Sequence, residues 1–186
     1  MEIIRNKAFA SCISLVLIAI SIFGVGGNDI ISEKNAAMDY FYTGEEHGIS
    51  MNEIINNIMA QAHNSLVIAR RYLGSDHELV QNIELNMRAV EEWPTHNLLS
   101  GHVASVLVWM RMLENQALEQ GISQEGLGHI SYTMATAVSN HLMIQSRQFH
   151  DRVDEFNELL NQFPANIIAS VRGIEPLQPY IFYETP

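Results

Sequence analysis

Residues 149–163 read FHDRVDEFNELLNQF, and this stretch carries an apolar side chain at every third or fourth position. The positions that share one face of the predicted α-helix are Phe149, Val153, Phe156, Leu160 and Phe163. Pro164 follows directly and lacks the N–H that a helix interior needs. The pattern predicts that the helix ends at Phe163-Pro164, with Phe163 folded back onto a helical bundle.

Upstream, the same register continues to Leu127, which predicts one helix over residues 124–163, about 60 Å long at ~1.5 Å per residue. Two capping boxes, Ser50-Met51-Asn52-Glu53 and Ser75-Asp76-His77-Glu78, predict the starts of two earlier helices. The first ends at Gly74, and the second either bends or ends at Trp93-Pro94. A third helix carries an apolar stripe and closes before Gly121.

These helices predict an all-α fold, an elongated antiparallel helical bundle of three to four long helices. A helix of some 40 residues needs a partner along its length. We expect the second and third helices, pivoting at Pro94, to provide it. The predicted bundle covers residues 50–186 and ends in an extended tail from Gly173, whose aromatic side chains either pack along the bundle or bind a partner.

The C-terminal part also carries a specific local pattern, Phe-Asn-(x)5-Phe-Pro-x-Asn-Ile-Ile-Ala-(x)3-Gly-(x)2-Pro-(x)3-Tyr, from Phe156 to Tyr180. This pattern resembles the tail of the LemA family, small bacterial helical proteins held in a membrane by an N-terminal segment. The resemblance covers residues 147–180, and Arg70-Arg71 is a weaker match to paired basic residues of the family. The resemblance implies a structural role for ten motif residues: Phe156, Asn157, Phe163, Pro164, Asn166, Ile168, Ala169, Gly173, Pro176 and Tyr180.

The N-terminal segment, residues 1–27, is predicted to be a transmembrane anchor, with a cleaved signal as the alternative. Ala8 to Gly27 contains no charged residue, and ~20 residues of helix match the ~30 Å of a hydrocarbon core. Arg5 and Lys7 precede this run. The positive-inside rule therefore predicts a cytoplasmic N-terminus and an extracytoplasmic domain. Residues 28–49 show no clear period and are interpreted as a tether, with a possible helical turn at 38–42.

Charge and cysteine content exclude several classes of function. Residues beyond 27 hold 8 basic and 20 acidic side chains, a formal charge of −12, which repels phosphate backbones and disfavours nucleic-acid binding. The single cysteine, Cys12, lies inside the apolar run, so the domain has no thiol chemistry of its own.

Candidate chemistry is sparse. Glu125 and His129 are spaced i,i+4, as metal ligands often are, but would need further ligands from other segments. His141 falls on the apolar register and is predicted to be a hydrogen-bonded core residue, and His150-Asp151 lacks a second histidine at suitable spacing. Gly-x-Ser-x-Gly and phosphate-loop motifs are missing from the sequence. We therefore expect no enzyme activity, no cofactor and no metal.

The resemblance and the anchor together predict a membrane-anchored scaffold or adaptor for protein–protein interaction in envelope or membrane-organelle assembly, with an unidentified protein partner. The alternative is an accessory ligand-sensing bundle that passes a signal to a membrane partner, since bundles host such sites between helices.

Overall fold

The computed structural model describes residues 2–44, 48–92, 96–145 and 148–183, with only the backbone of residues 2–9, 19 and 96–98. Every regular element among these residues is helical. The α-helices are α1 (Glu2–Ile20), α2 (Gly26–Tyr42), α3 (Met51–Leu73), α4 (Glu78–Glu92), α5 (His96–Glu119), α6 (Gln124–Ile144), α7 (Phe149–Asn161) and α8 (Ala165–Arg172). A π-helical turn, Ser21–Val25, joins α1 to α2. The predicted all-α helical bundle is confirmed.

Contacts divide the chain into two units, Met1–Asp39 with Asp151–Leu177, and Tyr40–His150 with Gln178–Pro186. The second unit contains the bundle proper. In it α3 packs chiefly against α6 and α4 chiefly against α5, and α5 also contacts α3 and α6. Its fully buried side chains include Ile58 and Leu66 of α3, Leu107 of α5 and Ile130 of α6.

Local signals explain where these helices begin and end. The hydroxyl of Ser50 accepts the N–H of Glu53 at 3.0 Å and caps α3, as predicted, and Gly74 ends that helix at a φ of 88° that favours glycine. Ser123 caps α6 in the same way through the N–H of Gly126. The second predicted capping box is wrong, because α4 begins at Glu78 and the ring of His77, not Ser75, accepts the N–H of Leu79.

The predicted single helix over 124–163 is also wrong, because α6 ends at Ile144 and α7 begins at Phe149. The N–H of Gln145 bonds to the carbonyl of Leu142, and the ring of His150 donates to the carbonyl of Ile144 at 3.2 Å. These bonds close the end of α6. Apolar periodicity could not reveal the break, since the residues on either side of it, Ile144 and Phe149, are both buried.

The predicted pairing of helices changes as well. α4 and α5 pack against each other instead of lying end to end beside a long partner, while Trp93-Pro94 falls outside the described residues. Residues 28–42, interpreted as part of a tether, belong to α2. Only three apolar side chains in this stretch are buried, Ile30, Ala37 and Phe41. That spacing was too sparse to give a clear period. The division into anchor, tether and bundle stays a prediction.

Candidate functional site

One helix in the described part of the chain, Ala10–Tyr42, is long and apolar enough to cross a membrane. It comprises the end of α1, the π-helical turn and α2. Its most apolar window is almost wholly exposed, with Leu15, Ile20 and Val25 among the large exposed side chains. Such a surface is unusual for a helix in water and suits contact with lipid.

α8 packs on this helix where its uncharged run ends. A Cβ at Gly26 would lie 3.1 Å from Cδ1 of Ile168, and a Cβ at Gly27 would overlap the side chain of Arg172. Arg172 also donates from Nη1 to Oδ1 of Asn28 at 3.1 Å. The two glycines therefore allow the close approach of α8. This contact was missed from the sequence, although two consecutive glycines inside a helical segment were the available signal.

The motif residues of α7 and the tail meet at one hydrogen-bonded contact. The side chain of Asn157 donates to the carbonyl of Leu177 at 2.8 Å and accepts its N–H at 2.9 Å. Leu177 is buried, and so is Phe156 beside Asn157. Asn157 thus replaces the backbone partners that this part of the tail lacks.

Further along the tail, Tyr180 and Phe182 lie against His141 of α6. The ring of Phe182 stacks on His141 with centroids 4.6 Å apart, and Tyr180 meets it edge-on at 6.3 Å. Burial lowers the pKa of His141 and raises the pKa of Tyr180. The predicted core position of His141 is confirmed. The predicted hydrogen bond is wrong among the described residues, where both ring nitrogens and the Tyr180 hydroxyl lack partners.

The remaining motif residues divide between buried and exposed positions. Ile168 and Ala169 are buried on the inner face of α8, and Gly173 ends that helix in the left-handed conformation at φ 64°. Pro164 precedes α8, and Asn166 and Pro176 are exposed. Phe163 is exposed, so the prediction that it folds back on a bundle is wrong. The chain re-enters a helix after Pro164, and Phe163 is exposed in the turn that precedes α8.

A surface groove between α3 and the start of α6 has a volume of about 330 Å³. Its lining residues are Val67, Ile68, Arg71, Tyr72, Ser123, Glu125, Gly126 and His129. The hydroxyls of Tyr72 and Ser123 lie 2.9 Å apart across it. Glu125 and His129, which the spacing offered as a pair of metal ligands, both line this groove. Their neighbours there are the Arg71 side chain and the hydroxyls of Tyr72 and Ser123, and no further acidic, histidine or cysteine side chain is among the lining residues.

No cluster of three or more histidine, cysteine, aspartate or glutamate side chains is placed to hold a metal ion in the described ranges. His150 uses its ring on the backbone of α6, as described above. The two arginines of the pair Arg70-Arg71, the weaker match to the LemA family, make different contacts. Arg70 bonds to Oε1 of Glu84 on α4 through Nη2 at 2.6 Å and Nε at 3.2 Å, while Arg71 lines the groove.

No protein-family model, curated protein or solved structure matches this chain. The resemblance to the LemA family therefore stays a prediction from the motif at Phe156–Tyr180.

Proposed function

We propose that this chain is a membrane-anchored helical scaffold or adaptor protein of the LemA family, which binds other proteins in envelope or membrane-organelle assembly. The observation that carries the proposal is the continuity of the helix Ala10–Tyr42. Its first half exposes apolar side chains, and at its other end Phe41 is buried, with its ring 5.4 Å from that of Phe149. A helix of this length and composition, with Phe41 buried near its end, supports an anchor that leads into a folded part of the protein.

The proposal includes an N-terminus in the cytoplasm and an extracytoplasmic domain. Two basic residues, Arg5 and Lys7, precede the uncharged run, whereas Asp29 and Glu33 with a single lysine, Lys34, follow it. The excess of basic residues on the N-terminal side favours that orientation. A fusion of alkaline phosphatase after Pro186 tests it, because the enzyme is active only outside the cytoplasm. We expect active phosphatase on a chain of full length. Inactive phosphatase would contradict the orientation, and a chain shortened by the N-terminal segment would replace the anchor with a cleaved signal.

A non-enzymatic role is part of the proposal, because the sequence carries neither a nucleophile elbow nor a phosphate loop, and no domain thiol. Chemical cross-linking in intact membranes, followed by purification in detergent, tests the scaffold role. We expect one or more proteins to be recovered in stoichiometric amount. Recovery of the chain alone under several solubilisation conditions would contradict it.

The groove at Tyr72 and Ser123 supports the alternative of a ligand-sensing bundle. Its volume lies at the lower end of small-molecule pockets, and Arg71 and His129 suit a ligand with an acidic group. A thermal-shift screen of small carboxylates and phosphates tests this alternative. A ligand that stabilises the protein, and whose effect is lost in Arg71→Gln but kept in Arg88→Gln, would place the sensor ahead of the scaffold.

A further inference from the structure

The outer face of α8 is apolar and uncovered. Ile167 and Val171 lie four residues apart on α8 and are 47% and 68% exposed, and Phe163, in the turn that precedes the helix, is 80% exposed. We call these three residues the α8 stripe. The opposite face of the helix is buried through Ala165, Ile168 and Ala169. Exposure of large apolar side chains on one face of α8 and in the turn next to it indicates a surface that meets something other than water.

The position of α8 in its unit indicates what that surface meets. Ile168 and Arg172 touch the long helix at Gly26 and Gly27, and the uncharged run Ala8–Gly27 ends at these residues. In a helix that spans the hydrocarbon core with this run, Gly26 and Gly27 lie at the boundary between acyl chains and headgroups. Val25, which precedes these glycines, is 62% exposed and belongs to the apolar surface of the span.

Charge fits the same location. Residues 159–174 contain no acidic side chain and one basic one, Arg172, in a chain that carries 21 acidic residues. The rest of the domain is repelled by anionic lipid, but this segment is not. Helices that lie in a bilayer interface have an apolar face turned to the acyl chains and a polar face without net negative charge.

We propose that α8 is an interfacial helix whose stripe, Phe163, Ile167 and Val171, inserts into the lipid leaflet from which the anchor emerges. The inference rests on the proposed membrane anchoring and adds a second contact with the bilayer. Arg172, fixed on Gly27 and Asn28, holds α8 at that depth.

Site-specific fluorescence quenching tests the proposal with the full chain in vesicles of phosphatidylcholine and phosphatidylglycerol. An environment-sensitive dye is attached to Val171→Cys in a Cys12→Ser background, and separately to the native Cys12. A third label, Leu85→Cys with Cys12→Ser, reports an exposed apolar position of α4. Nitroxide lipids labelled near the headgroup or deep in the acyl chain supply the quencher.

We expect headgroup-level nitroxide to quench most of the fluorescence at residue 171, deep nitroxide to quench residue 12, and neither to quench residue 85. Quenching at residue 12 without quenching at 171 would overturn the α8 proposal and leave the anchor in place. In that case a protein surface, rather than lipid, covers the stripe. Loss of quenching at both positions would overturn the membrane anchoring and with it the α8 proposal.

A pair of neighbouring substitutions separates insertion from simple proximity. Ile167→Asp places a charge in the α8 stripe, and we expect it to abolish quenching of the label at residue 171 while quenching at residue 12 persists in a parallel Ile167→Asp sample. Asn166→Asp adds the same charge at an exposed polar position next to it and keeps the hydrogen bond to the N–H of Ile167. We expect Asn166→Asp to retain the quenching of the label at residue 171. If both substitutions reduce that quenching equally, the proposal is overturned.

Discussion

The side chain of Asn157 holds the peptide groups on both sides of Leu177, donating to its carbonyl at 2.8 Å and accepting its N–H at 2.9 Å. The two residues are twenty positions apart and lie on α7 and in the irregular tail. A tail without regular structure needs such partners, because buried backbone groups are costly when left unpaired. The Asn157–Leu177 pair is therefore a specific attachment of the tail.

Replacement of Asn157 by Asp should release this part of the tail. Aspartate keeps the acceptor for the N–H of Leu177 but turns a second oxygen towards its carbonyl, so one attractive contact becomes a repulsive one. We expect a loss of about 1–3 kcal/mol in the free energy of unfolding. Faster proteolysis between residues 173 and 183 should accompany it. Asn64→Asp at an exposed position of α3 is the control and should change stability by less than about 0.5 kcal/mol.

Asn157 and Phe163 differ in how well their positions could be predicted from the sequence. The motif that contains both residues predicted a structural role for each, yet Asn157 bonds to the tail and Phe163 faces outward. An apolar register identifies the inner face of a helix while the helix lasts. It says nothing about the direction that the chain takes after Pro164, which depends on where α8 finds a surface, here Gly26 and Gly27.

The stability of the folded chain should fall on mild acidification because of His141. Burial lowers the pKa of this side chain from its ordinary value of 6.5, so the unfolded chain binds its proton first as the pH falls. The free energy of unfolding is then independent of this residue above pH 6.5 and decreases below it, by up to about 1.4 kcal/mol per pH unit. Urea unfolding in detergent from pH 7.5 down to about pH 5 measures this slope, with the lower limit above the usual pKa of aspartate and glutamate, about 3.9 and 4.3.

His141→Leu tests the assignment, since leucine cannot take up a proton and has a similar volume. We expect the pH slope between 6.5 and 5 to flatten in this variant, whereas His63→Leu at an exposed position of α3 should leave it unchanged. An unchanged slope in His141→Leu would show that another group is responsible. The position of Phe182 over the ring also predicts that acidification loosens the tail first. Protection factors for amide exchange at residues 180–183, taken against the intrinsic rate at each pH, should therefore fall.

The same substitution should disturb α8 at one glycine of the long helix and leave it unchanged at another. A side chain at Gly27 displaces Arg172, whereas a Cβ at Gly24 has nothing within 4 Å. We expect Gly27→Leu to break the bond between Arg172 and Asn28 and to speed amide exchange in α8. Gly24→Leu should leave α8 unchanged. Equal exchange in the two variants would contradict the proposed close approach of α8.

The bounds of α3 were within reach of sequence analysis because they are encoded locally, by the Ser50 cap, by Gly74 and by apolar spacing, whereas helices α2 and α8 and the break between α6 and α7 were not. The contacts that define the candidate sites were not. Arg172 on Gly27, Asn157 on Leu177 and Ser65 beside Thr133 join residues 20 to 145 positions apart. The spacing of apolar residues does not indicate which distant residues contact each other. These pairs could therefore be identified only from the three-dimensional structure.

A hydroxyl pair between α3 and α6 should behave as one energetic unit. Ser65 and Thr133 are both buried, and their oxygens lie at hydrogen-bond distance. Because the hydroxyl of Thr133 also lies 2.8 Å from the carbonyl of Ile130, we assign its proton to that bond and Ser65 as the donor to Thr133. Thr133→Val then leaves the Ser65 hydroxyl buried without this acceptor and should lower the free energy of unfolding by about 1–3 kcal/mol. Ser65→Ala should lower it by about 1 kcal/mol.

A double-mutant cycle measured by urea unfolding tests whether the two hydroxyls act together. We expect the double variant to lose less stability than the sum of the two single losses, by about 0.5–1.5 kcal/mol. Ser105→Ala removes only a local bond to the carbonyl of Gly101 and serves as the control, and additive single effects would show that the two hydroxyls act independently.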